Sequence, residues 1–215
     1  MSRPLLLGHR GARATRFIPE NTIPSFDLAL AHGCDGFEFD VRRTADGRAV
    51  ICHDPKFRDL EIAHAGPTDL TGLPQLDEIL SHYQGTAFLD IELKVPGLER
   101  SLLKSLRSHP PQQGYVATSF LAEVLRALRA LDDQIVLGLL CETRAQLEGR
   151  SALPVQYLLP HYTLMDIDLI RTCHSEARKV IPWTVNHREN MLQFKEMGVD
   201  GIISDDTESL AQLRE

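Results

Sequence analysis

The stretch "EFDVRRTADGRAVICHDP", residues 38–55, holds two apolar-alternating runs on either side of Asp46-Gly47. Asp-Gly between such runs is among the strongest local signals for a two-residue hairpin loop. On that reading Ala45 pairs with Arg48, Arg42 lies opposite Ile51, and Asp40 lies opposite His53. The run "AVIC" (49–52) is then the returning arm of a hairpin that projects beyond the preceding strand.

That reading fixes the strand count. Strand-like runs occur at "LLLG" (5–8), "GFEFDV" (36–41), "AVIC" (49–52), "FLDIEL" (88–93) and "YVATS" (115–119). They continue at "IVLGL" (135–139), "VQYLL" (155–159), "KVIPWTV" (179–185) and "GIIS" (201–204). With the hairpin arm set aside, eight remain, and most are separated by helical patterns. Ser25–His32 stops at Gly33, residues 120–131 ("FLAEVLRALRAL") show 3.6-residue spacing, and residues 188–198 end on Gly198. Repeated βα units of this kind read as an α/β fold, a TIM (β/α)8 barrel with a short insertion after a β-hairpin extending from strand two. A doubly wound open sheet shares the same periodicity and stands as the structural alternative. Pro182 interrupts a presumed central strand, where it removes a ladder hydrogen bond, so a bulge or an early strand end is expected there.

The 215 residues suit one domain. Their formal net charge of −7 argues against a general nucleic-acid binder, although a bound cation and a few basic residues would still admit an anionic substrate. The four cysteines, Cys34, Cys52, Cys141 and Cys173, form no CxxC pair and fit a reduced, cytoplasmic setting. The leucine run at 5–7 is too short for a signal-peptide core, and no apolar stretch is long enough for a membrane anchor.

The chemistry-bearing residues gather at strand ends. Glu38 and Asp40 are two apart and share one face of their strand, and the hairpin returns His53 to the same neighbourhood. Asp90, Glu92 and Lys94 alternate onto one face of the next strand, which brings Glu92 near Glu38 and Asp40. Three carboxylates without thiolate or histidine partners suit a hard divalent cation, Mg²⁺ or Ca²⁺, rather than zinc. Acids that merely solvate strand ends are the plain alternative; two such strand ends side by side, next to His53-Asp54, favour a site. The turn "GHRGA" (8–12) adds His9, the bidentate anion donor Arg10, and Gly11, which permits close backbone approach to a bound group. Two histidines across one mouth can share general base and general acid duties.

The stretches "HRGA", "PENT" (19–22), "GCDGFEFDVRRTADGRAVICHD" and "IELK" together resemble the glycerophosphodiester phosphodiesterase family. So do "LPQLDEIL" (73–80), "TSF" (118–120), "WTVN" (183–186) and "GVDGIISD" (198–205), in family order along nearly the whole chain. The resemblance implies a TIM barrel whose divalent metal is held by Glu38, Asp40 and Glu92. It implies that His9 and His53 are the acid–base pair and that Arg10 and Lys94 hold phosphate. The implied reaction splits glycerophosphodiesters to sn-glycerol 3-phosphate and an alcohol, a step of glycerol and lipid metabolism. A lysophospholipase D-like enzyme and a catalytically silent phosphate-binding barrel are the competing readings. Many family members carry a larger cap after the His-Asp pair; here residues 54–87 form a reduced cap-like insertion, which bears on specificity more than on chemistry.

Phe120 and Trp183 are candidates for an apolar wall against the substrate, with a core role as the alternative. Asn186 is expected to order its loop and His161 to be structural. Asp54 is a candidate to orient His53. Glu20 and Asn21 are taken as mainly architectural, with Asn21 a candidate helix cap, although the resemblance puts their loop near the site.

Overall fold

The computed structural model describes residues 3–66 and 68–214. Pro67, within the 54–87 segment, lies outside the described residues.

The chain alternates strands and helices. Strand β1 (Leu5–Gly8) leads through α1 (Ile23–His32) to β2 (Gly36–Arg43), whose returning arm is β3 (Ala49–Ile51). A small outer hairpin follows, β4 (Lys56–Phe57) and β5 (Leu60–Glu61), and then α2 (Leu76–Tyr83). The repeat continues with β6 (Phe88–Leu93), α3 (Glu99–Ser108), β7 (Tyr115–Ser119) and α4 (Ala122–Leu131). Next come β8 (Leu137–Cys141), α5 (Arg144–Glu148), β9 (Tyr157–Pro160) and α6 (Ile167–Ser175). The last elements are β10 (Lys179–Val180), α7 (Arg188–Met197), β11 (Gly201–Ser204) and α8 (Thr207–Ala211).

Eight of these strands run parallel in the order β10-β9-β8-β7-β6-β2-β1-β11, with β3 antiparallel on β2. The two ends of that order meet, which excludes the open sheet. Closure is by single backbone bonds rather than a full ladder: Asp200 N–H donates to Val180 O (2.9 Å), Ile203 N–H to Pro182 O (3.0 Å) and Val185 N–H to Ile203 O (2.9 Å). Pro182 accounts for this, since it can accept in the seam but has no N–H to give, and the regular strand ends at Val180. The fold is a TIM barrel.

Alternation along each strand splits the core in two. Leu89, Ile91 and Leu93 of β6, with Phe37, Phe39 and Val41 of β2, join the larger cluster beneath the helices. There Phe26 of α1 stacks on Phe37 at 4.2 Å, and Tyr83 of α2 meets Phe37 edge-on at 4.8 Å. Residues of opposite phase fill the barrel interior, where Leu7, Phe88, Val116, Leu159 and Ile203 form a second apolar cluster. Glu38, Asp40, Asp90 and Glu92 share that inward phase, so each acid is buried in the barrel rather than solvated at a strand end.

The hairpin forms, but its register differs by one from the two-residue reading. Val41 pairs with Ile51, Arg42 with Val50 and Arg43 with Ala49. The loop holds three residues, because Thr44 N–H bonds Arg48 O (3.0 Å) and Gly47, at φ 85°, donates to Thr44 O (3.0 Å). A turn closed by a left-handed glycine is the usual three-residue solution. Cys52, not His53, therefore faces Asp40, through Cys52 N–H to Asp40 O at 3.0 Å.

Candidate active site

At the C-terminal mouth of the barrel a cavity of about 230 Å³ is lined by His9, Arg10, Glu38, His53, Glu92 and Lys94 on its polar side. Phe120, Leu140, Trp183 and Ile203 form the apolar side, with Glu142 at the edge. Of the residues singled out at the strand ends, the cavity thus gathers the six of its polar side, while Asp40 and Asp90 lie buried behind that wall and Gly11 does not line it.

The strand register explains the acids. Parallel pairing sets Glu38 beside Asp90 and Asp40 beside Glu92. One oxygen each of Glu38, Asp40 and Glu92 then falls within 4.8 Å of the others. Asp90 sits one layer deeper, where Thr118 Oγ1 donates to it at 2.7 Å and burial pushes its carboxyl up to about 8. Burial, reinforced by the neighbouring acids, holds Glu38 well above the usual range and Glu92 at about 7. Asp40 moves down instead: burial opposes ionisation there, but the charges of Lys94 and Arg10 and a hydrogen bond from Asn21 outweigh it. Lys94 Nζ lies 2.8 Å from Glu92 Oε1 and 3.2 Å from Asp40 Oδ1.

This donor set fits a hard divalent cation. All its ligand atoms are carboxylate oxygens; among the described residues Glu38 Oε1 is buried without a hydrogen-bond donor, and Asp40 Oδ1 has only the ion-pair contact of Lys94, without hydrogen-bond geometry. Carboxyls driven upward by burial and mutual repulsion are what a local positive charge would relieve.

Each histidine is held by its own carboxylate. His9 Nδ1 is 2.7 Å from Asp205 Oδ1, which leaves Nε2 toward the cavity, 3.8 Å from Glu38 Oε2. Asp205 is fixed further by Asn186 Nδ2 (2.7 Å) and Arg13 Nη1 (3.2 Å). Burial would raise the Asp205 carboxyl, yet the hydrogen bond and charge of His9, with Asn186 and Arg13, bring it to about 2. His53 Nδ1 is 2.8 Å from Asp54 Oδ1, and Arg42 Nε donates to the His53 carbonyl at 2.7 Å. Burial lowers the His53 imidazole against the pull of Asp40 and Asp54. His53 also borders a second cavity, of about 370 Å³, between residues 19–22 and the outer hairpin.

Arg10 has a left-handed backbone (φ 53°) that aims its N–H at Glu38 Oε2 (3.0 Å), while its side chain reaches Glu20 (2.8 Å) and Asp40 (3.2 Å). Gly11 serves packing rather than ligand approach: at φ +84°, an added Cβ would fall 2.4 Å from Ser25 Oγ of α1. Phe120 and Trp183 meet edge-on at 5.6 Å, and Trp183 Nε1 donates to Leu159 O (2.8 Å), so the aromatic wall is rigid. His161 packs behind Trp183 at 5.3 Å and does not line the cavity.

Sequence reasoning gave Asp205 no role and took Glu20 and Asn21 as architectural. Thr22, not Asn21, occupies the N-cap position of α1, without a side-chain capping bond, and Asn21 instead donates to Asp40 Oδ2 at 2.8 Å. Glu20 binds both Arg10 and Arg13. The available signal for Asp205 was its place just past the last strand, which a closed barrel sets beside the first. Glu142, immediately after β8, had the same kind of signal.

The description "Glycerophosphoryl diester phosphodiesterase family" matches this chain over residues 9–74 and 90–209. A glycerophosphodiester phosphodiesterase of Caldanaerobacter subterraneus subsp. tengcongensis is 29% identical over 239 residues, covering 98% of both chains. Among solved structures, an Oleispira antarctica phosphodiesterase in complex with the product sn-glycerol-3-phosphate superposes with a TM-score of 0.86 at 26% identity, covering 99% of this chain and 97% of that one. The glycerophosphodiester phosphodiesterase of Thermotoga maritima, at 22% identity, shares the fold with a TM-score of 0.85 over the full length of both chains.

Proposed function

The chain belongs to the glycerophosphoryl diester phosphodiesterase family, and from that premise we propose that it hydrolyses glycerophosphodiesters to sn-glycerol 3-phosphate and an alcohol, using a divalent cation and two histidines. The observation that carries this reading is one cavity lined by both histidines, two of the three clustered acids and two basic side chains. The Oleispira enzyme, seen with its product sn-glycerol-3-phosphate, supports the same substrate class.

Glu38, Asp40 and Glu92 would hold the cation, Mg²⁺ or Ca²⁺, which when bound offsets phosphoryl charge and lowers the pKa of a coordinated hydroxyl. Arg10 and Lys94 supply fixed positive charge where the transition state gathers negative charge. Asp205, on His9 Nδ1, would keep His9 in the tautomer that presents Nε2 to the cavity, and Asp54 would do the same for His53. One imidazole takes a proton from the nucleophile and the other gives one to the departing alkoxide. Phe120 and Trp183 wall the apolar side, against the carbon skeleton of the substrate.

A barrel that only bound phosphate would have no need of two imidazoles, each oriented by a carboxylate. Among the described residues no helix is long and apolar enough to cross a membrane. The four cysteines are unpaired, which supports a reducing, cytoplasmic setting. We read residues 54–87 as a reduced cap within a single domain: the outer hairpin borders the mouth, while α2 packs its buried face on the barrel core.

The test is hydrolysis of glycerophosphocholine with detection of both products, before and after chelation. Loss of turnover on chelation and recovery with Mg²⁺ or Ca²⁺ is expected; full activity after exhaustive chelation would overturn the cation's role.

A further inference from the structure

Asn21 sits in the turn before α1 with left-handed backbone (φ 58°), yet it is buried, at 4% exposure. Its amide engages Asp40 twice. Nδ2 donates to Asp40 Oδ2 (2.8 Å), and the Asp40 backbone N–H donates to Asn21 Oδ1 (3.3 Å). Its own N–H donates to the carbonyl of Arg10 (3.0 Å), and the Arg10 N–H in turn donates to Glu38 Oε2 (3.0 Å). One buried turn therefore fixes two of the three clustered carboxylates.

The requirement on this position is double. The backbone conformation restricts it to glycine, asparagine, aspartate and a few others. The two bonds to Asp40 need a donor and an acceptor on one short side chain. Glycine has neither and aspartate lacks the donor, so of these three only asparagine meets both conditions. Backbone held in a sparsely populated region and over-determined by hydrogen bonds is a recurrent feature of functional sites.

We propose that Asn21 is a positioning residue for the cation site: it fixes Asp40 by Oδ2 and leaves Oδ1, met only by the Lys94 ammonium, to a cation. This rests on the cation-dependent reading above.

The test compares wild type with Asn21→Gly and Asn21→Ala by calorimetric titration with Mg²⁺ and Ca²⁺, alongside thermal melts. Glycine accepts the left-handed backbone and loses only the amide; alanine loses the amide and also strains the backbone. Both variants should bind the cation about 10–100-fold more weakly, to a similar extent, while only Asn21→Ala suffers a large fall in Tm. Their kcat/KM should drop at limiting cation and recover as cation is raised. As a control, Thr22→Ala removes the neighbouring hydroxyl bond to Pro19 O (2.6 Å) and should leave cation affinity unchanged. Wild-type affinity in Asn21→Gly would overturn the proposal, as would an affinity loss that merely follows Tm across the variants. If wild type itself bound neither cation, the failure would lie in the underlying reading, and this inference would fall with it.

Discussion

His9 and Asp205 lie 196 positions apart in the chain and 2.7 Å apart in the barrel, just beyond the ladder that pairs its first and last strands. Asp205 removed to asparagine keeps its shape but cannot enforce the same imidazole tautomer. Asp205→Asn should lower kcat by about 10²-fold or more with little change in KM. Equal kcat in the two proteins would show that the contact only ties the two strand ends together.

The same pair carries a pH signature. The Asp205 carboxyl is lowered to about 2 in the folded state, against about 3.9 in an unfolded chain. A depressed acid contributes stability above its unfolded pKa and loses it as pH falls through the folded value. The Tm advantage of wild type over Asp205→Asn should therefore be full above pH ~4 and shrink toward pH ~2. An advantage constant over that window would contradict the assignment.

His9→Ala and His53→Ala should each reduce kcat by on the order of 10²-fold or more. A diester with a strongly acidic leaving alcohol should rescue only the variant that has lost the general acid. Rescue of both, or of neither, would break the division of labour between the two rings.

Glu38 is strained electrostatically without a cation, through burial and the charges of Asp40, Glu92 and Asp90. Glu38→Gln should raise the Tm of the cation-free protein by about 2–4 °C, as roughly 1 kcal/mol would do in a chain of this size, while abolishing turnover. A lowered Tm in chelator would mean that the carboxylate supports the fold rather than opposing it.

The cavity beside His53 opens toward the outer hairpin, where only a short segment stands. Choline, ethanolamine and glycerol headgroups should thus give kcat/KM values within roughly tenfold of one another, about 1.4 kcal/mol. Loss of the glycerol hydroxyl beside the phosphate should hurt more. A panel of diesters varied at one end at a time decides this, and a 10³-fold headgroup preference would reveal a selective pocket.

The barrel and its three clustered acids were legible because both follow from local rules. Two-residue periodicity aims Glu38 and Asp40 inward together, and the βα repeat places Glu92 on the adjoining strand. The hairpin was legible in kind but not in register, because the Thr44 side chain accepts from the Arg48 N–H (3.0 Å) and lengthens the loop by one residue. A shift of one exchanges the faces of an arm; here it leaves His53 beyond the ladder, where Arg42 fixes it through its carbonyl. Asn21 was illegible because its role depends on a backbone dihedral that no spacing rule supplies. Asp205 needed the pairing of the last strand with the first, Leu5–Gly8 along Gly201–Ser204, which no local spacing announces.

The pairing of the first strand with the last also has a consequence for synthesis. A ribosome adding about 5–20 residues per second would have the first histidine and all three acids outside long before the last strand emerged. Until residues 201–205 arrive, His9 lacks its carboxylate partner and β1 lacks its β11 neighbour. On the proposed mechanism, a partial chain, or one clipped before the final strand, would therefore lack turnover although it carries both histidines, the three acids and both basic side chains. Turnover in such a site would report that translation has run through the last strand.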